Sequence, residues 1–367
     1  MFDELFYKIA LSHQKGYGNS VIKKLLQLSG TASALFQDFN SIRKKMKTTR
    51  SFPAAPVLTL EIEKAVHNEL NTAAKNNIIH CFFTDLEYPK RLLRCSDAPY
   101  MFSYKGSNQF NFEKTLAIVG TRHATSYGKD VVRRVISDLS SHNVSIISGL
   151  AIGVDTFAHE TALDYRLHTI GVMGSGFGNI YPDCNKKLAK KMIDSGSTLV
   201  SEYSYYTLPD RQNFPKRNRI IAGMTDALLV VETGKRGGSI ITACIAHSYQ
   251  RDVFAIPGSV FESSQEGCHE LIRQNLAALV TSGEDIIEMM GWNAEKPLQI
   301  QPQLFNELNE DEENVVSTIR NLKEPHIDEL IIHNSLTPSK IASVLLGLEL
   351  NGIIEALPGK KYRLVER

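Results

Sequence analysis

The sequence predicts an α/β protein, built on an extended Rossmann-like, doubly wound and mostly parallel sheet. A small helical domain precedes this sheet and a winged helix follows it. Between residues 78 and 292, short continuous apolar runs alternate with helical patterns, which is typical of parallel strands covered by helices on both faces. Glycine-rich turns follow four of these runs, at the positions where strands would lead into helices.

Residues 1–75 are predicted to form a helical domain of the SAM or helix-hairpin-helix type. Lys15-Gly16-Tyr17-Gly18 separates two helical stretches, and Leu25, Leu26 and Leu28 give the second stretch an apolar face. A helix–Gly-x-Gly–helix hairpin can present backbone amides to a phosphate. A plain turn between helices fits the same residues, so the two interpretations stay open.

Residues 78–292 are predicted to hold eight strands. The runs are Ile78–Phe83, Leu116–Gly120, Val144–Ser148, Thr169–Met173, Thr198–Ser201, Ala227–Glu232, Asp252–Ile256 and Ala278–Val280. The helical patterns between them include Lys129–Ser141, Asp155–Leu163, Lys186–Ser195 and Ser239–Tyr249. A sheet of this type binds ligands outside the carboxyl ends of its strands, near the point where the strand order reverses.

The last part of the chain is predicted to be a linker, 293–310, and a winged helix, 311–367. In the winged helix, Thr337 and Pro338 mark a helix start, with the threonine as N-cap and the proline at the first helical position. Two short strands around Pro358–Lys361 would form the wing.

The composition restricts the class of protein. Hydrophobic residues make up 43% and charged residues 22%, as in ordinary globular proteins, and no apolar run is long enough to cross a membrane. The N-terminus has no secretory signal, so we expect a cytoplasmic protein.

The five cysteines form no C-x-x-C pair, which predicts reduced thiols and no zinc site. The net charge of +1 means that any nucleic-acid site is a local patch.

The four glycine-rich turns predict an anion site at one edge of the sheet. Glycine lets a backbone approach a ligand closely, and each following helix presents free amides. The turns are Gly120-Thr121-Arg122, Ser148-Gly149-Leu150-Ala151, Gly174–Gly178 and Gly234–Ser239. No G-x-x-x-x-G-K-[ST] motif is present, and no G-x-G-x-x-G follows the first strand, so neither a P-loop nor a dinucleotide site is expected.

Basic residues near these turns favour a polymer backbone as the anion. Arg122 lies in the first turn, Lys186 starts a helix, and Lys216, Arg217 and Arg219 surround Asn218 just after Phe214. Phosphates attract the cations, while an aromatic face stacks bases with little sequence preference. A second interpretation places Phe214 in the core and makes Arg217 a surface or salt-bridged residue.

No catalytic constellation can be assembled from spacing. Asp155 and His159 are four residues apart at the start of a helix, where capping and packing explain them better than metal or acid–base chemistry. Glu202 and Glu232 end strands, and each could act as an acid or base or as a partner for an arginine. We therefore predict no catalytic residue, no metal and no cofactor.

The ordered motifs between about residues 78 and 290 closely resemble the DprA/Smf family of DNA-processing proteins. The motifs include Ala117–Arg122, Ser148–Asp155 with Ala158-His159, Gly174-Ser175-Gly176, Tyr181-Pro182, Phe214–Gly223, Gly238-Ser239 and Arg251–Gly258. Two positions depart from the family pattern: Ile152 stands where an arginine is usual, and Gly237 replaces a frequent serine.

The resemblance implies a homodimer that binds single-stranded DNA, protects it and loads the RecA recombinase on it during natural transformation and recombination, without catalysis. It implies that Arg122, Lys216 and Arg217 hold phosphates and that Phe214 stacks a base. The full set of predicted DNA-binding residues is Gly120, Thr121, Arg122, Ser148, Gly149, Lys186, Phe214, Lys216, Arg217, Asn218, Arg219, Gly238 and Ser239.

Two other functions remain as alternatives. Gly237–Thr242 partly matches the glycine-rich segment of LOG-type phosphoribohydrolases, but no acidic residue lies between Thr242 and Asp252 to serve as acid or base. A regulator of duplex DNA could act through the recognition helix, roughly Pro338–Glu349, although Lys340 is its only cation.

Overall fold

The computed structural model describes residues 2–45, 54–293, 308–351, 353–357 and 359–365. Contacts between Cα atoms divide the chain into two compact units, Met1–Ala294 and Glu295–Arg367. The predicted linker, 293–310, falls mostly outside the described residues. The predicted helical domain, 1–75, belongs to the same compact unit as the sheet.

The first unit contains nine strands and thirteen α-helices in its described residues. The strands are β1 (Ile79–Phe82), β2 (Met101–Gly106), β3 (Lys114–Val119), β4 (Val144–Ser148), β5 (Thr169–Met173), β6 (Thr198–Ser201), β7 (Ala227–Val230), β8 (Asp252–Ala255) and β9 (Ala278–Leu279). The helices are α1 (Glu4–Ser12), α2 (Asn19–Ser29), α3 (Ala32–Gln37), α4 (Phe39–Lys45), α5 (Leu60–Lys75), α6 (Lys90–Leu93), α7 (Ser126–Leu139), α8 (Val154–Asp164), α9 (Lys186–Asp194), α10 (Asn213–Met224), α11 (Gly238–Ser248), α12 (Glu266–Arg273) and α13 (Gly283–Met289).

The nine strands form one sheet in the order β1-β2-β6-β5-β4-β3-β7-β8-β9. The seven strands from β6 to β9 are parallel, whereas β2 pairs antiparallel with both β1 and β6. The predicted extended Rossmann-like, mostly parallel sheet is therefore confirmed. Strand β2 was not predicted, since the sequence patterns assign no strand to residues 101–106.

Both faces of the sheet are buried, which explains why its strands are continuously apolar. In β3, Leu116 and Ile118 pack against α7 and α8 on one face, while Ala117 and Val119 pack against α10 and α11 on the other. Helices α1–α5 form a further core, which extends to Tyr100 and β2 at the edge of the sheet.

The second unit is a winged helix, as predicted. It contains α14 (Glu310–Leu322), α15 (Ile327–Asn334), α16 (Pro338–Leu350) and the antiparallel strands β10 (Ile354–Leu357) and β11 (Lys361–Leu364). Thr337 caps α16 by accepting a hydrogen bond from the Lys340 amide, and Pro338 occupies the first helical position.

Candidate nucleic-acid interface

A cavity of about 690 Å³ lies at the carboxyl edge of the sheet, between the turns that follow β3 and β7. These two strands are neighbours, yet the chain continues from β3 to β4 on one side and from β7 to β8 on the other. The strand order reverses here, so the two turns diverge and leave a crevice. We call this cavity the crevice.

Eight of the thirteen predicted DNA-binding residues line the crevice. They are Gly120, Thr121, Arg122, Phe214, Arg217, Asn218, Gly238 and Ser239. The other five, Ser148, Gly149, Lys186, Lys216 and Arg219, are not among its lining residues.

Arg122 is an exposed cation at the mouth of the crevice. The turn that carries it is fixed because the Thr121 amide donates a 2.7 Å hydrogen bond to the Glu232 carbonyl. Within the described residues, no carboxylate lies within ion-pairing distance of Arg122. Its guanidinium lies 5.4 Å from the centroid of the Phe214 ring. Arg122 is therefore available to bind an anion beside an aromatic face.

Phe214 presents a half-buried ring to the crevice. Tyr181 lies beside it, with the ring centroids 5.7 Å apart, and the Arg217 guanidinium lies 5.9 Å from the Phe214 centroid. Gly174 follows β5 directly under this ring: a Cβ there would lie 2.8 Å from Phe214 Cδ1. The glycine thus leaves the space that lets the ring sit against the strand end and face the crevice.

The N-terminus of α11 forms the opposite wall of the crevice. Gly237 is the N-cap, no side chain caps the helix, and its first turn contains no acidic residue. A Cβ at Gly238 would meet no atom within 4 Å, so the backbone is open to close approach. Ser239 is buried and donates a 2.6 Å hydrogen bond to the Thr233 hydroxyl. Helix N-terminal amides of this kind favour an anion.

Arg217 lies beneath the crevice, with only 4% of its surface exposed. Its guanidinium donates hydrogen bonds to the Gly149 and Val172 carbonyls and to the Asn218 side chain. Burial lowers the pKa of Arg217 to about 10, which still leaves it charged at neutral pH. The neighbouring Asp155 partly offsets that lowering. Arg217 is therefore buried and not a surface residue, and its predicted contact with a phosphate stays a prediction. It ties the ends of β4 and β5 to α10.

Asp155 and His159 serve the architecture of the turn after β4. The Asp155 carboxylate accepts hydrogen bonds from the Gly149 and Ala151 amides, at 3.1 and 3.3 Å. Burial raises its pKa and the charge of Arg217 opposes the rise. His159 is fully buried and its Nδ1 lies 2.7 Å from the Thr169 hydroxyl. Burial lowers the His159 pKa to about 3.

The remaining predicted residues have local partners. Ser148 is fully buried and donates to the Ile118 carbonyl at 2.6 Å, while Lys186 pairs with Asp183 at 3.0 Å. Arg219 pairs with Glu202. Of the two roles left open for the Glu202 carboxylate, acid–base group or arginine partner, the structure shows the second. Lys216 is exposed on α10. Contact of these residues with DNA stays a prediction.

Several residues that line the crevice were missed by sequence reasoning, among them His123, Tyr181 and Arg211. Tyr181 stands in the Tyr-Pro motif that marked the resemblance, and Arg211 precedes Phe214 by three residues, so both carried a signal. Within the described residues, no group of three His, Cys, Asp or Glu side chains could hold a metal ion. No described helix combines the length and apolar character needed to span a membrane.

Comparison with known proteins identifies the family. The family model for DNA recombination-mediator protein A matches residues 79–291, and that for the DprA winged helix domain matches residues 301–360. The chain belongs to the DprA/Smf family. Protein Smf of Escherichia coli is 35% identical over 283 residues, which cover 76% of this chain and 75% of that protein. DNA processing protein DprA of Streptococcus pneumoniae is 42% identical over 200 residues, covering 54% and 70%.

Two solved structures of family members share the fold. The Streptococcus pneumoniae DprA structure matches with a TM-score of 0.62 and 32% identity, covering 77% of this chain and 97% of that one. The Helicobacter pylori DNA processing protein A, described for its single-stranded DNA binding mode, matches with a TM-score of 0.52 and 26% identity. That match covers 57% of this chain and 95% of the Helicobacter chain.

Proposed function

We propose that this protein binds single-stranded DNA in the crevice. One observation carries the proposal: the exposed Arg122 cation, the Phe214 ring and the open N-terminus of α11 face the same cavity. Cations and helix amides hold phosphates, and an aromatic ring stacks an unpaired base. The single-stranded DNA binding mode of the Helicobacter pylori relative supports the same ligand class.

Fluorescence anisotropy tests the proposal with the purified protein and a labelled single strand of about 30 nucleotides, at two salt concentrations. We expect Arg122→Ala to weaken binding about tenfold and to lower the salt dependence, because a phosphate contact releases counterions. Arg134→Ala is the matched control, since Arg134 is also exposed but lies two turns into α7.

Three results would overturn the single-strand proposal. The first is an equal loss of affinity in the Arg122→Ala and Arg134→Ala variants. The second is displacement of the labelled strand by an unlabelled matching duplex as effectively as by an unlabelled single strand. The third is an affinity that does not change between the two salt concentrations. Release of free base from a nucleoside monophosphate would instead support a phosphoribohydrolase.

We further propose that the protein acts as a cytoplasmic homodimer that protects imported single strands and helps load RecA during transformation and recombination. Membership of a family described as recombination mediators supports this role. Light scattering should give twice the chain mass of 41.0 kDa. RecA filaments should form faster on single strands in the presence of the protein. A monomer would contradict the proposed homodimer, and an unchanged rate of filament formation would contradict the proposed loading of RecA.

A further inference from the structure

The turn Gly234–Gly237 borders the crevice, and a second groove of about 460 Å³ is lined by Glu232, two residues before that turn, and by residues of the loop 257–265. Gly234 and Gly237 line the crevice, whereas Tyr127, Ser259 and Glu262 line the second groove. A Cβ on Gly234 would lie 3.6 Å from the Ser263 carbonyl oxygen, so the turn and the loop 257–265 are adjacent. We call this turn the ridge.

The ridge carries two exposed cations, Lys235 and Arg236. In the part of the chain that the structure describes, neither forms an ion pair. Glu270 is an acidic group that interacts with Lys235, and it is paired with Arg273 at 2.5 Å. The pKa of Glu270 is lowered mainly by that hydrogen bond from Arg273, with a smaller effect of Lys235. Both ridge cations are therefore free to meet an anion leaving the crevice.

Beyond the ridge, the loop 257–265 exposes an aromatic ring. Phe261 is 94% exposed, more than any other large hydrophobic side chain of the described residues, and Val260 beside it is 75% exposed. The Phe261 amide donates to the Ser259 hydroxyl at 3.3 Å, which helps to fix the loop tip. An exposed ring offers a face on which an unpaired base can stack.

We propose that the single strand held in the crevice continues over the ridge, with its phosphates on Lys235 and Arg236 and a base on Phe261. This inference rests on the proposed function, because the occupant is the next stretch of the same strand. The cations directly adjoin the crevice, and the loop that carries the ring is adjacent to the same turn. Glu262 in the second groove repels phosphates, so the backbone follows the cations while uncharged bases reach the loop.

The test measures anisotropy with labelled oligothymidylates of about 5 and about 20 nucleotides, lengths that bracket a short and an extended site. The double variant Lys235→Ala/Arg236→Ala should weaken binding of the long strand about tenfold and leave the short strand unchanged, because only the long strand reaches the ridge. Phe261→Ala should weaken the long strand about tenfold with unchanged salt dependence, since stacking releases no counterions.

Matched controls separate these effects from general changes in charge and surface. Arg133→Ala/Arg134→Ala removes two adjacent exposed cations from α7, and Leu86→Ala removes an apolar side chain that is 92% exposed. Both controls should bind strands of either length like the parent protein. Arg122→Ala should weaken both lengths, so a failure of the crevice proposal would be seen independently.

Two outcomes overturn the inference. Unchanged binding of the long strand by the ridge and Phe261 variants would show that the strand does not cross the ridge. Equal loss for short and long strands would place the two cations within the crevice site itself.

Discussion

Three arginines near the crevice illustrate how burial assigns different roles to one residue type. Arg122 is exposed and free, Arg217 is buried with its donors bound to backbone carbonyls, and Arg219 is paired with Glu202 in the described part of the chain. An exposed guanidinium can exchange water for a phosphate, whereas a buried one would first lose its present partners. We therefore expect Arg122 to contribute the most of the three to direct contact with DNA.

Gly238 gives a test of the anion site that leaves the fold intact. We expect Gly238→Val to lower single-strand affinity about tenfold, because branched methyl groups would cover the amides that approach a phosphate. A Cβ at this position would meet no atom of the surrounding structure within 4 Å, so the variant should stay folded and its melting temperature should change little. Anisotropy and thermal unfolding together check both statements, and full affinity in the variant would remove α11 from the site.

The buried His159 predicts a loss of stability in acid. Its folded-state pKa of about 3 lies below the ordinary histidine value of 6.5, so the unfolded chain binds the proton more readily. The free energy of unfolding should therefore fall as the pH drops from about 6.5 towards 3, by up to about 1.4 kcal/mol per pH unit.

Denaturant titrations of the parent protein and His159→Asn across this pH range measure that contribution. The variant should show a shallower decline, with a remaining slope to which His168 contributes because burial lowers its pKa to about 4. Parallel pH curves for the two proteins would disprove the role of His159.

At the scale of elements, one buried side chain holds two strand ends and a helix together. Arg217 on α10 bonds the Gly149 carbonyl after β4 and the Val172 carbonyl of β5. We expect Arg217→Ala to lower the free energy of unfolding by about 3 kcal/mol, since two buried carbonyls lose a charged donor. Urea unfolding measures this.

Arg122→Ala is the contrasting variant for that experiment. Because Arg122 is exposed and unpaired in the described residues, its loss should change the free energy of unfolding by less than about 0.5 kcal/mol. Similar stabilities of the two variants would mean that Arg217 does not tie the strand ends.

Strand β2 shows which element the sequence patterns could not supply. Its residues pair with β1 about 20 positions earlier and with β6 about 100 positions later, as in the pairing of Ser103 with Ser201. Residues 101–106 lead into the next strand, β3, without a helix between them, so the alternation of strands and helices gives no sign of β2. The parallel strands were easier to predict because each is followed by a helix within the same stretch of chain.

At the scale of the whole molecule, the crevice lies within one compact unit and the winged helix forms the other. We expect removal of residues 300–367 to leave most single-strand binding intact, within about threefold, because no crevice residue is lost. Anisotropy of the truncated protein checks this. If the truncated protein no longer bound single strands, the DNA-binding site would lie on the winged helix instead of the crevice.

Helix α16, the predicted recognition helix of the winged helix, has one cation, and that cation is paired. On α16, Lys340 pairs with Asp311 at 3.2 Å, and Leu346 is 58% exposed on the same helix. A helix that reads the major groove normally presents side chains that donate to bases and phosphates. The truncated and full proteins should therefore bind duplex DNA about equally weakly.

The sequence by itself determined the class of fold, the winged helix and the family, because strand and helix periodicities and contiguous motifs are local properties of the chain. It also placed the glycine-rich turns at the correct edge of the sheet, since the direction of parallel strands fixes where their carboxyl ends lie. Only the tertiary structure decided which basic residues are free. Arg122 and Arg217 look alike in sequence, but their exposure depends on packing between segments that are far apart along the chain.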